Sequence, residues 1–160
     1  MFTNHKPYFF NKEEGPAIWA MGFLARIKAS GEQTGGAFSL VDELCPPGYA
    51  TPFHVHHAED EAFYVLEGEV TIFCGDQKIK AGPGSYVYGP REIPHGFRIE
   101  GTQPGRLLIL ATPSGFDQFI AEAGEPAREL TLPPAAPLDV EKLNTAAAKY
   151  QIDLLGPLPD

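Results

Sequence analysis

Apolar and polar residues along most of this chain alternate with a period of two. From 17 to 28, A-I-W-A-M-G-F-L-A-R-I-K places Trp19, Met21, Phe23, Ala25 and Ile27 on one face of an expected long strand. Residues 30–36, S-G-E-Q-T-G-G, form a turn. Alternation resumes over 38–44 and stops at Pro46-Pro47-Gly48. Short strand-like runs follow at 53–57, 62–66, 70–74, 85–88, 95–100 and 106–112. Glu67-Gly68-Glu69 and Gly75-Asp76 read as tight hairpin turns. Many short strands with regular turns predict an all-β sandwich or barrel.

The pattern changes near residue 113. F-D-Q-F-I-A-E-A, flanked by Gly115 and Gly124, puts Phe116, Phe119, Ile120 and Ala123 on one helical face, with Ser114 as the expected cap. Residues 130–138 hold Pro133, Pro134 and Pro137 and read as an extended connector. Asp139 is placed to cap a second helix over 140–150, and the final G-P-L-P-D reads as irregular. The expected organisation is one domain over 1–160. It comprises an arm at 1–16, a barrel at 17–112 and a helical extension at 113–160.

Composition narrows the class. A length of 160 residues suffices for one sizeable core. The balance of 12 Lys and Arg against 21 Asp and Glu gives a net charge of −9, which argues against nucleic acid and anionic lipid as partners. No apolar run approaches the roughly 20 residues of a membrane span. The first residues carry no signal-peptide pattern, so the expected compartment is the cytoplasm. Cys45 and Cys74 then read as free thiols.

The candidate chemistry lies between Gly48 and Gly68. Side chains alternate across a strand, so His54 and His56 point one way and His57 the other. Glu61 opens the next strand and can reach the same point, with Phe63 and Val65 on its face. His95 follows Pro94 in a second Gly/Pro-rich block, 81–97. Each residue alone has a plainer reading as a surface or hydrogen-bonded side chain. Together, His54, His56, Glu61 and His95 suit one divalent transition metal (Fe, Mn, Ni, Co, Cu or Zn). Glu59 and Asp60 read as a solvated turn, His57 as a surface or supporting residue, and His5 as part of the arm. Phe53, Phe63, Tyr86, Tyr88 and Phe97 are candidates for an aromatic substrate pocket, with ordinary core as the alternative for each. Arg91, in the loop before His95, is a surface residue or an anion contact.

These residues resemble the two motifs of the cupin superfamily. Gly48, His54, His56, Glu61 and Gly68 match the first; Gly75, Gly82, Pro83, Gly84 and His95 match the second, although Ile99 stands where an Asn is often found. The resemblance implies an antiparallel jelly-roll barrel with short C-terminal helices, binding one metal through three histidines and one glutamate. T-G-G-A-F-S-L, E-A-F-Y-V-L-E-G, P-H-G-F-R and P-S-G-F-D further resemble single-domain bacterial cupins of the quercetin 2,3-dioxygenase-like group. That implies a metal-dependent dioxygenase acting on a small aromatic or enolic substrate such as a flavonol, with dioxygen. Glu61 would then be both ligand and proton acceptor. Metal-dependent isomerases, decarboxylases and non-catalytic binding proteins share the motifs and stay open as alternatives. The long strand at 19–27 and the arm before it suggest exchange with a second subunit, hence a homodimer.

Overall fold

The computed structural model describes residues 5–160. The strands are β1 (Ala17–Ala20), β2 (Phe23–Ala29), β3 (Ser39–Cys45), β4 (Phe53–His56), β5 (Asp60–Glu67), β6 (Glu69–Cys74), β7 (Gln77–Ala81), β8 (Tyr86–Gly89), β9 (His95–Glu100), β10 (Gly105–Thr112), β11 (Glu125–Pro126) and β12 (Ile152–Gly156). The helices are α1 (Gly31–Thr34), α2 (Phe116–Ala123) and α3 (Val140–Lys149). A seven-stranded sheet runs β11-β1-β2-β3-β10-β5-β8, and a five-stranded sheet runs β12-β4-β9-β6-β7. Pairing within both is antiparallel, giving the expected jelly-roll architecture.

The core lies between the sheets. Val41, Phe63, Val65, Leu107 and Ile109 face Ile72, Phe97 and Ile99, all at most 2% exposed. Burying each such side chain contributes about 1.5–3 kcal/mol before entropy is counted. Phe119, Ile120, Leu143, Ala146 and Ala147 add the buried faces of α2 and α3 to this core.

Several elements differ from the sequence reading. The expected strand over 17–28 is a hairpin, reversed at Met21 (φ 50°) and Gly22 (φ 93°), with Ala20 paired to Phe23. Both parities of this segment are apolar, so the alternation count could not register a reversal. Phe23, Ala25 and Ile27 do face inward, but from β1 it is Ile18 and Ala20 that are buried. Trp19 is half-buried and donates its indole N–H to the Thr131 carbonyl at 2.8 Å. The turn at 30–36 contains the short helix α1, closed by a reciprocal Ser30–Gln33 capping box. Ser114 does not cap α2; Gly115 occupies that position with no side-chain bond. Asp139 does cap α3, accepting from the Lys142 N–H at 3.0 Å. Strands β7 and β12 have no legible period in the sequence: Q-K-I-K-A carries few apolar residues, and I-D-L-L-G does not alternate cleanly.

The edge of β1 is covered by β11, through Ile18–Pro126 and Trp19–Glu125. The arm also folds back on its own chain. Lys28 Nζ donates to the carbonyls of Asn11, Lys12 and Glu14, and Arg26 donates to that of Lys12 at 2.8 Å. The pairing route expected of this segment is therefore used within the chain. Among the described residues no helix is long and apolar enough to cross a membrane.

Candidate metal centre

Strand β4 carries His54 and His56, separated by Val55, so both imidazoles project from one face. Across the ladder His54 pairs with His95, the first residue of β9. Glu61, near the start of β5, comes from the other sheet. One donor atom from each of these four residues lies within 4.8 Å of all the others. His56, Glu61 and His95 are 1–2% exposed.

The outer nitrogen of every ring is already engaged. His54 Nδ1–H donates to the Pro52 carbonyl at 2.8 Å, and His95 Nδ1–H to that of Ile93 at 3.0 Å. His56 Nδ1–H donates to Glu59 Oε1 at 2.9 Å. These bonds leave each Nε2 to the interior. There, His56 Nε2 and Glu61 Oε1 lie 3.5 Å apart, buried and without hydrogen-bond partners. Orphaned polar atoms in a dry interior are costly unless something fills the space between them. Three imidazole nitrogens and a carboxylate oxygen facing one point fit a divalent transition metal, and outward-anchored rings are how proteins orient such ligands.

Protonation agrees with the fit. Burial lowers the His54 imidazole, and the neighbouring His95 and His56 lower it further, to about 3. Burial would raise the Glu61 carboxyl, but His56 and His95 outweigh it and hold it down to about 2. His54 is thus neutral and Glu61 ionised at neutral pH. For His56, burial lowers the imidazole while Glu61 and Glu59 override it, leaving it raised. His56 is where protons compete with a metal.

Glu59 does not lie in a solvated turn. It is 3% exposed and holds His56. The A-E-D turn looked solvated because nothing local shows that its first carboxylate folds back under β4. Glu59→Gln should keep the shape but lose the charge that orients and polarises His56. Metal affinity should fall about 10–100-fold in a chelator competition; unchanged affinity would remove Glu59 from the design. Asp60 instead makes a two-oxygen ion pair with Arg91, at 3.1 Å to Nε. His57 points away, between Glu92 at 2.8 Å and Asp153 at 2.9 Å. His5 is an exposed arm residue.

A cavity of about 50 Å³ adjoins the cluster. Of the five proposed pocket aromatics, Phe63 and Phe97 line it. Phe53 is half-buried and does not. Tyr86 and Tyr88 are 64% and 51% exposed, on the outer face. In the β5–β8 register they sit opposite Tyr64 and Ala62, whereas Val87 and Gly89 sit opposite the inward-facing Phe63 and Glu61. Y-V-Y-G is apolar on both parities, so sequence could not choose its inner face. The rest of the lining includes Glu43, Tyr49, Phe116, Phe119, Leu143 and Ile152, contributed by distant segments.

Comparison with known proteins agrees with this architecture. Residues 42–111 match the model of the Cupin domain family. The chain is 30% identical over 120 residues to a quercetin 2,3-dioxygenase of Bacillus subtilis, covering 75% of this chain and 35% of that protein, so it spans about a third of the relative's length. Among solved structures, KdgF from Halomonas sp. matches at a TM-score of 0.61 and 20% identity, covering 71% of this chain and 98% of that one. An RmlC-like cupin from Shewanella frigidimarina matches at 0.60 and 18%, covering 72% and 99%. With the fold, both motifs and the four-residue cluster in agreement, the chain belongs to the cupin superfamily.

Proposed function

We propose that this protein is a metal-dependent dioxygenase that opens a small enolic or aromatic substrate, a flavonol-like compound being the first candidate. The observation that carries the reading is the convergence of His54, His56, Glu61 and His95, with two orphaned atoms, beside an apolar cavity. The likeness to the Bacillus subtilis quercetin 2,3-dioxygenase supports it.

When bound by these four residues, a divalent transition metal supplies Lewis acidity and a template for the reactants. The rest is the protein's work. Glu61 is ionised, so the carboxylate oxygen it does not give to the metal can take the proton of a substrate hydroxyl. Phe63 and Phe97, both 2% exposed, exclude water from that transfer. The anchored rings of His54, His56 and His95 hold the geometry fixed.

The test loads metal-free protein separately with Mn, Fe, Co, Ni or Cu and supplies quercetin in air. Ring opening with carbon monoxide release is expected with at least one metal, and none should occur without oxygen. Turnover without oxygen would instead support an isomerase or decarboxylase. Binding without turnover under either condition would support a non-catalytic ligand-binding cupin. The assembly we propose is a homodimer. The cytoplasm remains the proposed compartment, supported by the free thiols of Cys45 and Cys74.

A further inference from the structure

Glu43 is buried in a place where a glutamate contributes nothing evident to the fold. It lies in the middle of β3 and faces inward with Val41 and Cys45. Across the ladder it pairs with Ala25 of β2 and Leu107 of β10, both fully buried. It is 2% exposed, and among the described residues its carboxyl has no hydrogen-bond or ion-pair partner. The adjacent Asp42 points the other way, where Arg106 binds it at 2.8 Å. An unpaired polar group in such a row costs free energy that a leucine would not.

What the carboxyl does face is the cavity that His54, His56 and Glu61 also line. In the sheet, β3 is separated from Glu61's strand β5 by β10. Along β10, Glu43 sits opposite Leu107 and Glu61 opposite Ala111. Two strand spacings across the sheet, about 10 Å, and four residues along β10, about 13 Å, therefore separate the two backbones. Tyr49 shares the lining, and its hydroxyl makes no hydrogen bond to a described residue. Among the described residues, neither lysine nor arginine lines this cavity. Burial, then the like charges of Glu61 and Asp42, push the Glu43 carboxyl well above the usual carboxylate range. At the end remote from the metal ligands, a second anion would find no lysine or arginine to pair with.

We propose that Glu43 is a specificity residue, donating a hydrogen bond from its carboxyl to a substrate oxygen at the end remote from His54, His56, Glu61 and His95. The ligand class is accordingly a small neutral compound with two separated oxygen functions, such as a cyclic hydroxy-ketone, rather than a carboxylate or phosphate ester. This deepens the functional reading above and rests on it for the position of the other end of the substrate.

The test uses the full chain loaded with Zn, so that binding is read without turnover. The probes are 5-hydroxy-2-hydroxymethyl-4-pyranone, whose hydroxymethyl group lies away from its chelating hydroxy-ketone, and the same ring with a carboxylate in place of the hydroxymethyl. Wild type should prefer the neutral ring. Glu43→Leu should keep its metal and its melting temperature while binding the neutral ring about tenfold more weakly, the worth of one hydrogen bond. Glu43→Gln, which still donates, should restore most of that affinity. The infrared difference between wild type and Glu43→Gln should contain the carbonyl stretch of a protonated acid, and adding the neutral ring should shift it. Unchanged affinity in Glu43→Leu overturns the proposal, as does an ionised-carboxylate signature. A Glu43→Leu protein that fails to fold gives Glu43 a structural role and also overturns it. Absence of quercetin turnover, with the infrared and binding results as expected, overturns the dioxygenase reading and leaves this one standing.

Discussion

His95→Ala is expected to purify without stoichiometric metal and to rebind it at least about 100-fold more weakly than wild type. His95 is one of four residues whose donor atoms lie within 4.8 Å, and its Nε2 is 2.9 Å from Glu61 Oε2. Losing an outer-shell partner typically costs 10–100-fold in metal affinity, and a ligand itself should cost more. The substitution also leaves Glu61 without its close imidazole partner in a site with almost no access to water. A buried carboxylate oxygen deprived of its hydrogen-bond partner is destabilising. The metal-free variant should therefore unfold at a lower temperature than metal-free wild type, and added metal should recover little of the difference. Elemental analysis after dialysis, paired with thermal unfolding, measures both effects. A variant that retains one metal per chain would refute the ligand assignment.

Deleting residues 152–160 should be nearly as damaging to the site, although none of these residues is a candidate ligand. Strand β4 holds His54 and His56, yet it pairs with β9 through only one residue pair, His54–His95. On its other edge it pairs with β12 through Ile152–His56, Asp153–Val55, Leu154–His54 and Gly156–Phe53. Removing β12 leaves β4 as a short edge strand with unpaired backbone groups. It also uncovers the cavity wall formed by Ile152, which is 4% exposed, and Leu154. Metal affinity should drop at least about tenfold, a loss comparable to mutating a supporting residue. Amide exchange over 53–57 should accelerate, while the β6–β7 hairpin stays protected. Equal exchange in both segments, or unchanged affinity, would show that β9 alone is enough to hold β4.

The two expectations differ in how far sequence could have led to them. His95 was legible because Pro94-His95 follows the Gly/Pro-rich block, downstream of a His-x-His pair on a strand. The dependence on β12 was not. I-D-L-L-G gives no clean alternation and follows a helix, so only its partner β4 explains why it is a strand at all. Glu59 and Glu43 show the same limit. Both are acidic residues in segments that permit a solvated reading, and both are at most 3% exposed because distant strands close over them. The opposite error occurred at Tyr86 and Tyr88. Aromatic residues near a site suggest a pocket, but the β5–β8 register turns them outward and puts Val87 and Gly89 inside.

By itself, the sequence determined the chemistry at hand and the local parity: three imidazoles and a carboxylate, with His54 and His56 on one face and His57 on the other. Those properties follow from residue type and from the two-residue repeat of a strand, and neither needs a partner. Only the tertiary structure decided which other groups share the interior. Pairing between strands far apart in sequence places Glu43 beside the same cavity as Glu61, folds Glu59 under His56 and makes β12 the support of β4. A one-residue change of register reverses the face of every side chain in a strand. The composition of the cavity is thus a property of long-range register, which no local pattern records.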